Sequence, residues 1–253
     1  MMKIVTWNCA GAFRKKFHLL EKFDADIYFI QECEDPSTSI PAYRDWANNY
    51  FWIKDTKHKG LGVFAKSHIK LERLEWDDAD LKLFLPVRVN DSFNLLAVWT
   101  KPNASSNYRY IGQLWKYLEL HRTRMIGCLS VLCGDLNSNK IWDHQHSHAS
   151  HSDVVNQLSE VGMHSLYHST FGEEQGKEQQ KTFFMYRKQD PKCQFHIDYA
   201  FLSSDLIDPA SDSISIGTFG EWIQHSDHVP LEFRVDVVGA DVHTVVGGSS
   251  EGK

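Results

Sequence analysis

Short runs of β-forming, apolar residues recur along almost the whole chain, and several of them end on a polar residue. Residues 3–7, 26–30, 61–65, 83–89, 93–99, 129–133 and 195–202 each read as a strand. Leu231, Phe233 and Val235 alternate like one more. Only three segments carry a clear helical period. They are Phe13, Phe17 and Leu20; Ile111, Leu114, Trp115 and Leu118; and Val154, Leu158 and Val161 before Gly162. Strands that outnumber helices this far fit two packed sheets flanked by helices better than a doubly wound parallel sheet.

A chain of 253 residues, 42% of them apolar, can bury a sizeable core as one unit. Its net charge of -6 argues against a bulk coater of duplex DNA, because phosphate neutralisation demands a basic surface. It leaves room for a carboxylate-rich metal site, which contributes negative charge of its own. Cys9, Cys33, Cys128, Cys133 and Cys193 are odd in number and no two have the C-x-x-C spacing, which speaks against a disulfide scaffold or structural zinc. The first apolar run is too short for a signal peptide, and no stretch approaches a membrane span. The expectation is a soluble, cytoplasmic monomer with no membrane partner. Residues 1–238 form one domain in this reading, residues 139–152 and 171–181 are loops, and residues 239–253 are a flexible tail.

Chemistry concentrates at the strand ends. Thr6-Trp7-Asn8, Ile30-Gln31-Glu32, Gly134-Asp135-Leu136-Asn137 and His196-Ile197-Asp198 share one design, and Ser226-Asp227-His228 stands before the last strand. Polar groups at strand ends can converge on one rim. A set of oxygen ligands suits Mg²⁺ or Mn²⁺, and a phosphodiester needs charge neutralisation and an oriented water to be cleaved.

These five motifs, in this order from Trp7 to His228, resemble the endonuclease/exonuclease/phosphatase superfamily, which includes exonuclease III, abasic-site endonucleases and pancreatic-type DNases. The resemblance implies a four-layered α/β sandwich of two packed, mostly antiparallel sheets flanked by helices, with a divalent metal at the rim. It implies a metal-dependent nuclease acting on DNA. Glu32 matches the main metal ligand, and Asn8 a residue that contacts phosphate and steadies the metal. Asp227 matches a residue that completes the metal region. Asp135 and Asn137 match the pair that orients or deprotonates the attacking water and holds the phosphate. Asp198 matches the carboxylate partner of the catalytic His, and His228 is that His. His196 either reaches the site or is a structural, hydrogen-bonded His.

Two departures stand out. Several nuclease branches carry Asp or Asn two residues after the first-strand Asn, where this chain has Ala10. Abasic-site nucleases place a Tyr where Thr100 stands, with Lys101 offering a cation beside it. Thr100, Lys101, Asn103 and Arg109 are the expected substrate contacts after the central strand, joined by Trp142 from the loop beyond Asn139. His144, His146, His148 and His151 in that loop read as a solvated segment rather than a fixed zinc site. Two other functions compete: a phosphatase or phosphodiesterase acting on a small or lipid ester, and a non-catalytic nucleic-acid-binding module on a decayed fold. Retention of Glu32, Asp135, Asn137, Asp198, Asp227 and His228 argues against decay.

Overall fold

A computed structural model describes residues 1–102, 108–207 and 213–236. In chain order its strands begin with β1 (Met2–Asn8), β2 (Ile27–Cys33), β3 (Tyr50–Lys54), β4 (Gly60–Ala65), β5 (Leu71–Arg73), β6 (Phe84–Val89) and β7 (Phe93–Trp99). They continue with β8 (Ser130–Asp135), β9 (Met163–Ser165), β10 (Phe183–Phe184), β11 (Gln194–Phe195), β12 (Asp198–Ser203), β13 (Ile214–Ile216) and β14 (Leu231–Val235). The α-helices are α1 (Pro41–Trp46), α2 (Ile111–His121), α3 (His151–Glu160), α4 (Leu166–Phe171) and α5 (Phe219–Trp222).

Among the described residues, two six-stranded sheets form, ordered β13-β14-β1-β2-β4-β3 and β5-β6-β7-β8-β12-β9, beside a two-stranded pair, β10-β11. Each six-stranded sheet is antiparallel except for one central parallel pair, β1 with β2 and β7 with β8. The period of two explains the layers. Ile4, Ile27 and Phe29 of one sheet meet Leu95, Ala97, Val131 and Cys133 of the other in a shared core. Their neighbours Val5, Trp7, Tyr28 and Ile30 point outward and pack with Phe13, Tyr43 and Trp222. On the far side, Leu96, Val98 and Leu132 pack against Ile111, Leu114 and Leu118 of α2 and Val154 and Leu158 of α3. Strands covered on both faces read as continuous apolar runs, so the expected sandwich is the one observed. Among the described residues, no helix is long and apolar enough to cross a membrane.

The helix expected around Phe13, Phe17 and Leu20 is instead two 3-10 turns, Phe13–Lys15 and Phe17–Phe23. The break is at Lys16, which leaves helical space (φ -128°) and donates its ammonium to the Cys9 carbonyl at 2.5 Å. That bond ties the segment to the end of β1. The strand expected over residues 195–202 is interrupted at His196 and Ile197. There Thr182 Oγ1 accepts from the N–H groups of Ile197 (3.0 Å) and Asp198 (3.1 Å), taking the place of ladder bonds. The expected loop at 139–152 holds a 3-10 turn, Lys140–Gln145, and the capping box of α3, in which Ser150 and Asp153 exchange hydrogen bonds. The proposed tail at 239–253 lies outside the described residues.

Candidate active site

The parallel pairs decide where the polar strand ends meet. β1, β2, β7 and β8 finish at one end of the sandwich, while the antiparallel β12 starts there. Asn8 shares the inward parity of Ile4, and Asp135 that of Val131 and Cys133. The two therefore face each other across the inter-sheet core, and Asn8 Nδ2 donates to Asp135 Oδ2 at 2.9 Å. Asp198 sits directly opposite Asp135 in the β8–β12 register.

Asp135 is fully buried and its carboxylate is met by three N–H groups. Oδ1 accepts from the Asn137 backbone N–H (2.8 Å), and Oδ2 from the side-chain amides of Asn8 and Asn137 (2.9 Å each). Asn137 reaches this pose with a left-handed φ of 44°, and its Nδ2 also donates to the Thr100 carbonyl at 2.9 Å. Gly134 is required by the same turn. Its φ is +141°, and a Cβ there would lie 1.9 Å from the Val98 carbonyl oxygen.

Two carboxylates facing each other across adjacent strands repel, and His228 lies against both. Its Nδ1 donates to Asp198 Oδ2 at 2.9 Å, and its Nε2 stands 3.9 Å from Asp135 Oδ2. Burial opposes charge on this imidazole, but Asp198 and Asp135 outweigh it and hold the pKa well above the usual imidazole value. Burial raises the Asp135 carboxyl above the ordinary carboxylate range, with His228, Asn8 and Asn137 pulling the other way and Asp198 adding to the rise. The ligand atoms of Asp135, Asp198 and His228 lie within 4.8 Å of one another, an acidic grouping able to hold a metal ion.

Glu32 arrives by a different device. Register shifts between Gln31 and Cys33, and Glu32 is the extra residue of this β-bulge, with φ 64°. Bulges re-aim side chains beside active sites. Here the Glu32 carboxylate comes to 3.5 Å from Asn8 Nδ2 and pairs with the Lys59 ammonium. Asn8 Oδ1 accepts from the Ala10 N–H at 3.1 Å, so that oxygen is turned into the chain rather than towards Glu32. Asp227 is half-buried, and its charge is felt at both His228 and Lys16.

The expected substrate contacts fare unequally. Thr100 is corrected: it is fully buried and its hydroxyl donates to the Leu136 carbonyl, so it braces the Asp135–Asn137 turn from below. Lys101 stands half-exposed, paired with Asp55 at 2.5 Å and over the Trp99 ring at 4.9 Å. Arg109 is exposed, and Asn103 lies outside the described residues. Trp142 packs on Phe195 and, with Asn137, Tyr110 and His146, lines a cavity of about 190 Å³ beside the site. His196 is turned away: Nδ1 meets the Gln180 carbonyl at 2.8 Å and the ring packs on Tyr167 and Tyr199.

Four supporting residues carry weight that spacing did not assign. The Trp7 indole N–H donates to the His228 carbonyl (3.0 Å). The Ser226 hydroxyl donates to the Asn8 carbonyl (2.7 Å) and accepts from the His228 N–H (3.1 Å). Thr182 holds the start of β12, and the Phe183 ring lies 4.7 Å from the His228 ring. Trp7 and Ser226 stood inside the motifs as neighbours of the polar residues; nothing in the sequence marked Thr182 or Phe183.

The histidine-rich segment does not converge. His144 bonds the Ile141 carbonyl and His148 the Ser147 hydroxyl, while His151 is buried between Ser138 and Gln175. Burial pushes the His151 imidazole down to about 4, with Gln175 partly opposing. A His with a folded pKa below its free value of about 6.5 lends stability that is fully present above that value and is lost as pH falls towards 4, about 3 kcal/mol in all. Melting temperature should therefore drop more steeply between about pH 6.5 and 4 for the parent than for His151→Gln. Parallel curves would show that His151 does not titrate this way.

The sequence profile described as Endonuclease/Exonuclease/phosphatase family matches residues 5–228. No curated protein matches the chain. Among solved structures, an AP endonuclease from Archaeoglobus fulgidus is similar at 17% identity and TM-score 0.67, over 93% of this chain and 100% of that one. The 3' phosphatase NExo from Neisseria, bound to product DNA hairpin, is similar at 18% identity and TM-score 0.65, with the same coverage. Truncated Caenorhabditis elegans TDP2 follows at 13% identity and TM-score 0.61, over 91% of this chain and 96% of that one. The family match spans nearly the whole sandwich and both halves of the rim, and the chain belongs to the endonuclease/exonuclease/phosphatase family.

Proposed function

We propose that this protein is a Mg²⁺- or Mn²⁺-dependent nuclease that hydrolyses phosphodiester bonds in DNA. One observation carries the reading: Asn8 and Glu32 from one sheet, Asp135, Asn137 and Asp198 from the other, and His228 from the last loop share a single rim. The donors fit a hard cation. Glu32 and Asp227 offer partly exposed carboxylate oxygens, whereas burial pushes the nearby Cys9 thiol up to about 12 and keeps it protonated. Glu32 is the better anchor than Asp135, whose oxygens already accept three N–H bonds. When bound, the cation supplies Lewis-acid charge at the phosphoryl oxygens.

The chain's own residues do the rest. Asp135, raised by burial, accepts a proton from the attacking water while Asn137 and Asn8 hold its carboxylate in place. His228, charged and aligned by Asp198, donates to the phosphate as negative charge builds. All these groups come from one chain, so the reading needs no second copy. DNA as substrate is supported by the names of the similar structures, an AP endonuclease and a 3' phosphatase bound to product DNA.

The test is the pure protein with Mg²⁺ or Mn²⁺ on plasmid, nicked, abasic and single-stranded DNA, RNA and a generic diester. Cleavage of DNA that stops in excess chelator is expected. Glu32→Gln should raise the metal concentration needed for half activity or abolish turnover, while Asn137→Ala lowers turnover with that midpoint little changed. Full turnover in chelator, or DNA binding without cleavage by any metal, would overturn the proposal.

A further inference from the structure

We infer that the Lys59 ammonium is a resident counter-ion of Glu32 which a divalent metal must displace, so that Lys59 sets how tightly this chain holds its metal; this rests on Glu32 being the metal anchor proposed above. Lys59 Nζ is paired with Glu32 Oε2, on a side chain that is 43% exposed. The lysine is placed there by a tight hairpin. The N–H groups of Asp55 and Thr56 both donate to the Lys59 carbonyl (3.0 Å each), and Lys54 pairs with Gly60 immediately beyond it. Gly60 cannot be replaced without disturbing this closure, since a Cβ would lie 2.3 Å from the Ile53 carbonyl oxygen.

Opposite the ammonium runs the turn that follows Asn8. Ala10 and Gly11 have φ values of 53° and 78°, and a Cβ built on Gly11 would be 3.4 Å from Lys59 Cε and 4.0 Å from Nζ. The cation therefore spans the gap between Glu32 and the turn that carries Ala10. Residue 10, where several nuclease branches carry Asp or Asn, is Ala here. The side chain at residue 10 thus offers a metal no ligand, and Glu32 is already neutralised. A divalent cation arriving at Glu32 meets a like charge within a few ångströms, a repulsion that a partly exposed site screens only in part. A metal at Glu32 and the Lys59 ammonium thus compete for the same carboxylate. The displaced side chain has solvent to move into.

The test is Mn²⁺ binding to the full chain without substrate, read as free Mn²⁺ by electron paramagnetic resonance. Lys59→Met keeps the length of the side chain and removes the charge, and should bind Mn²⁺ about tenfold more tightly or better. Lys59→Arg should stay near the parent. Lys59→Gln gives a second neutral variant should Met perturb the hairpin. Glu32→Gln should lose the site in either background. If both neutral variants bind Mn²⁺ no more tightly than the parent while Glu32→Gln loses it, the displacement idea is wrong and the metal anchor stands. If Glu32→Gln binds like the parent, the anchor and the displacement idea fall together.

Discussion

Asp135→Asn is expected to lower turnover by about 10³-fold or more at saturating metal. The size follows from geometry. A carboxylate only accepts, and three N–H groups are aimed at this one, at 2.8, 2.9 and 2.9 Å. An amide in its place removes the proposed proton acceptor and turns two N–H bonds against those donors. Asn8 cannot flip to adapt, because its Oδ1 holds the Ala10 N–H. Asn137 is equally committed, with Nδ2 on the Thr100 carbonyl. The fold should survive, since burial already disfavours the Asp135 charge and a neutral side chain relieves that cost. The decisive measurement is single-turnover rate beside a melting curve. A loss under about tenfold with normal melting would show that Asp135 takes no proton and orders no essential group.

Much of the site was legible because strand periodicity carries direction as well as structure. Asn8, Asp135 and Asp198 continue the inward parity of Ile4, Cys133 and Ala200, so reading the strands correctly places all three at the inter-sheet rim. His228 was reachable through its motif, with Ser226 and Trp7 supplying the bonds that fix its loop. Glu32 is different. By simple alternation after Gln31 it belongs on the outer face, and only a bulge with φ 64° turns it to the rim. The motif found it, but the pattern could not have.

Thr100 shows the opposite failure. Its place, where abasic-site nucleases carry a Tyr, suggested a substrate contact, yet a hydroxyl at the end of a strand buried on both faces finds a backbone carbonyl before it finds solvent. Lys59 was invisible for a third reason. A lysine in a charged hairpin is indistinguishable from any solvated one until the register of β2 and β4, with Cys33 opposite Gly60, places it against Glu32. The short strands β5, β9 and β13, three residues each, escaped for lack of length, and β3 is an edge strand that is only half-buried, without the alternation that marks a face.

The other large effect is expected at His228 and Asp198, where activity and stability should part company. His228→Ala removes the charged donor proposed to meet the phosphate, and Asp198→Ala removes the group bonded to it at 2.9 Å. Each should cost about 10²–10³ in turnover, as loss of an oxyanion-type donor does. Because they act as one unit, the double variant should be little worse than the worse single one. Stability follows a different logic. With His228 gone, Asp198 and Asp135 face each other in register with no cation between them. Removing Asp198 as well relieves that repulsion, so the double variant should melt higher than His228→Ala alone. His228→Gln, which keeps a polar side chain over the Phe183 ring, guards against simple loss of packing. Strictly additive losses of turnover, measured on variants that melt cooperatively, would mean that the imidazole and the carboxylate serve separate roles. A double variant less stable than His228→Ala would mean that His228 does not offset a repulsion between Asp135 and Asp198.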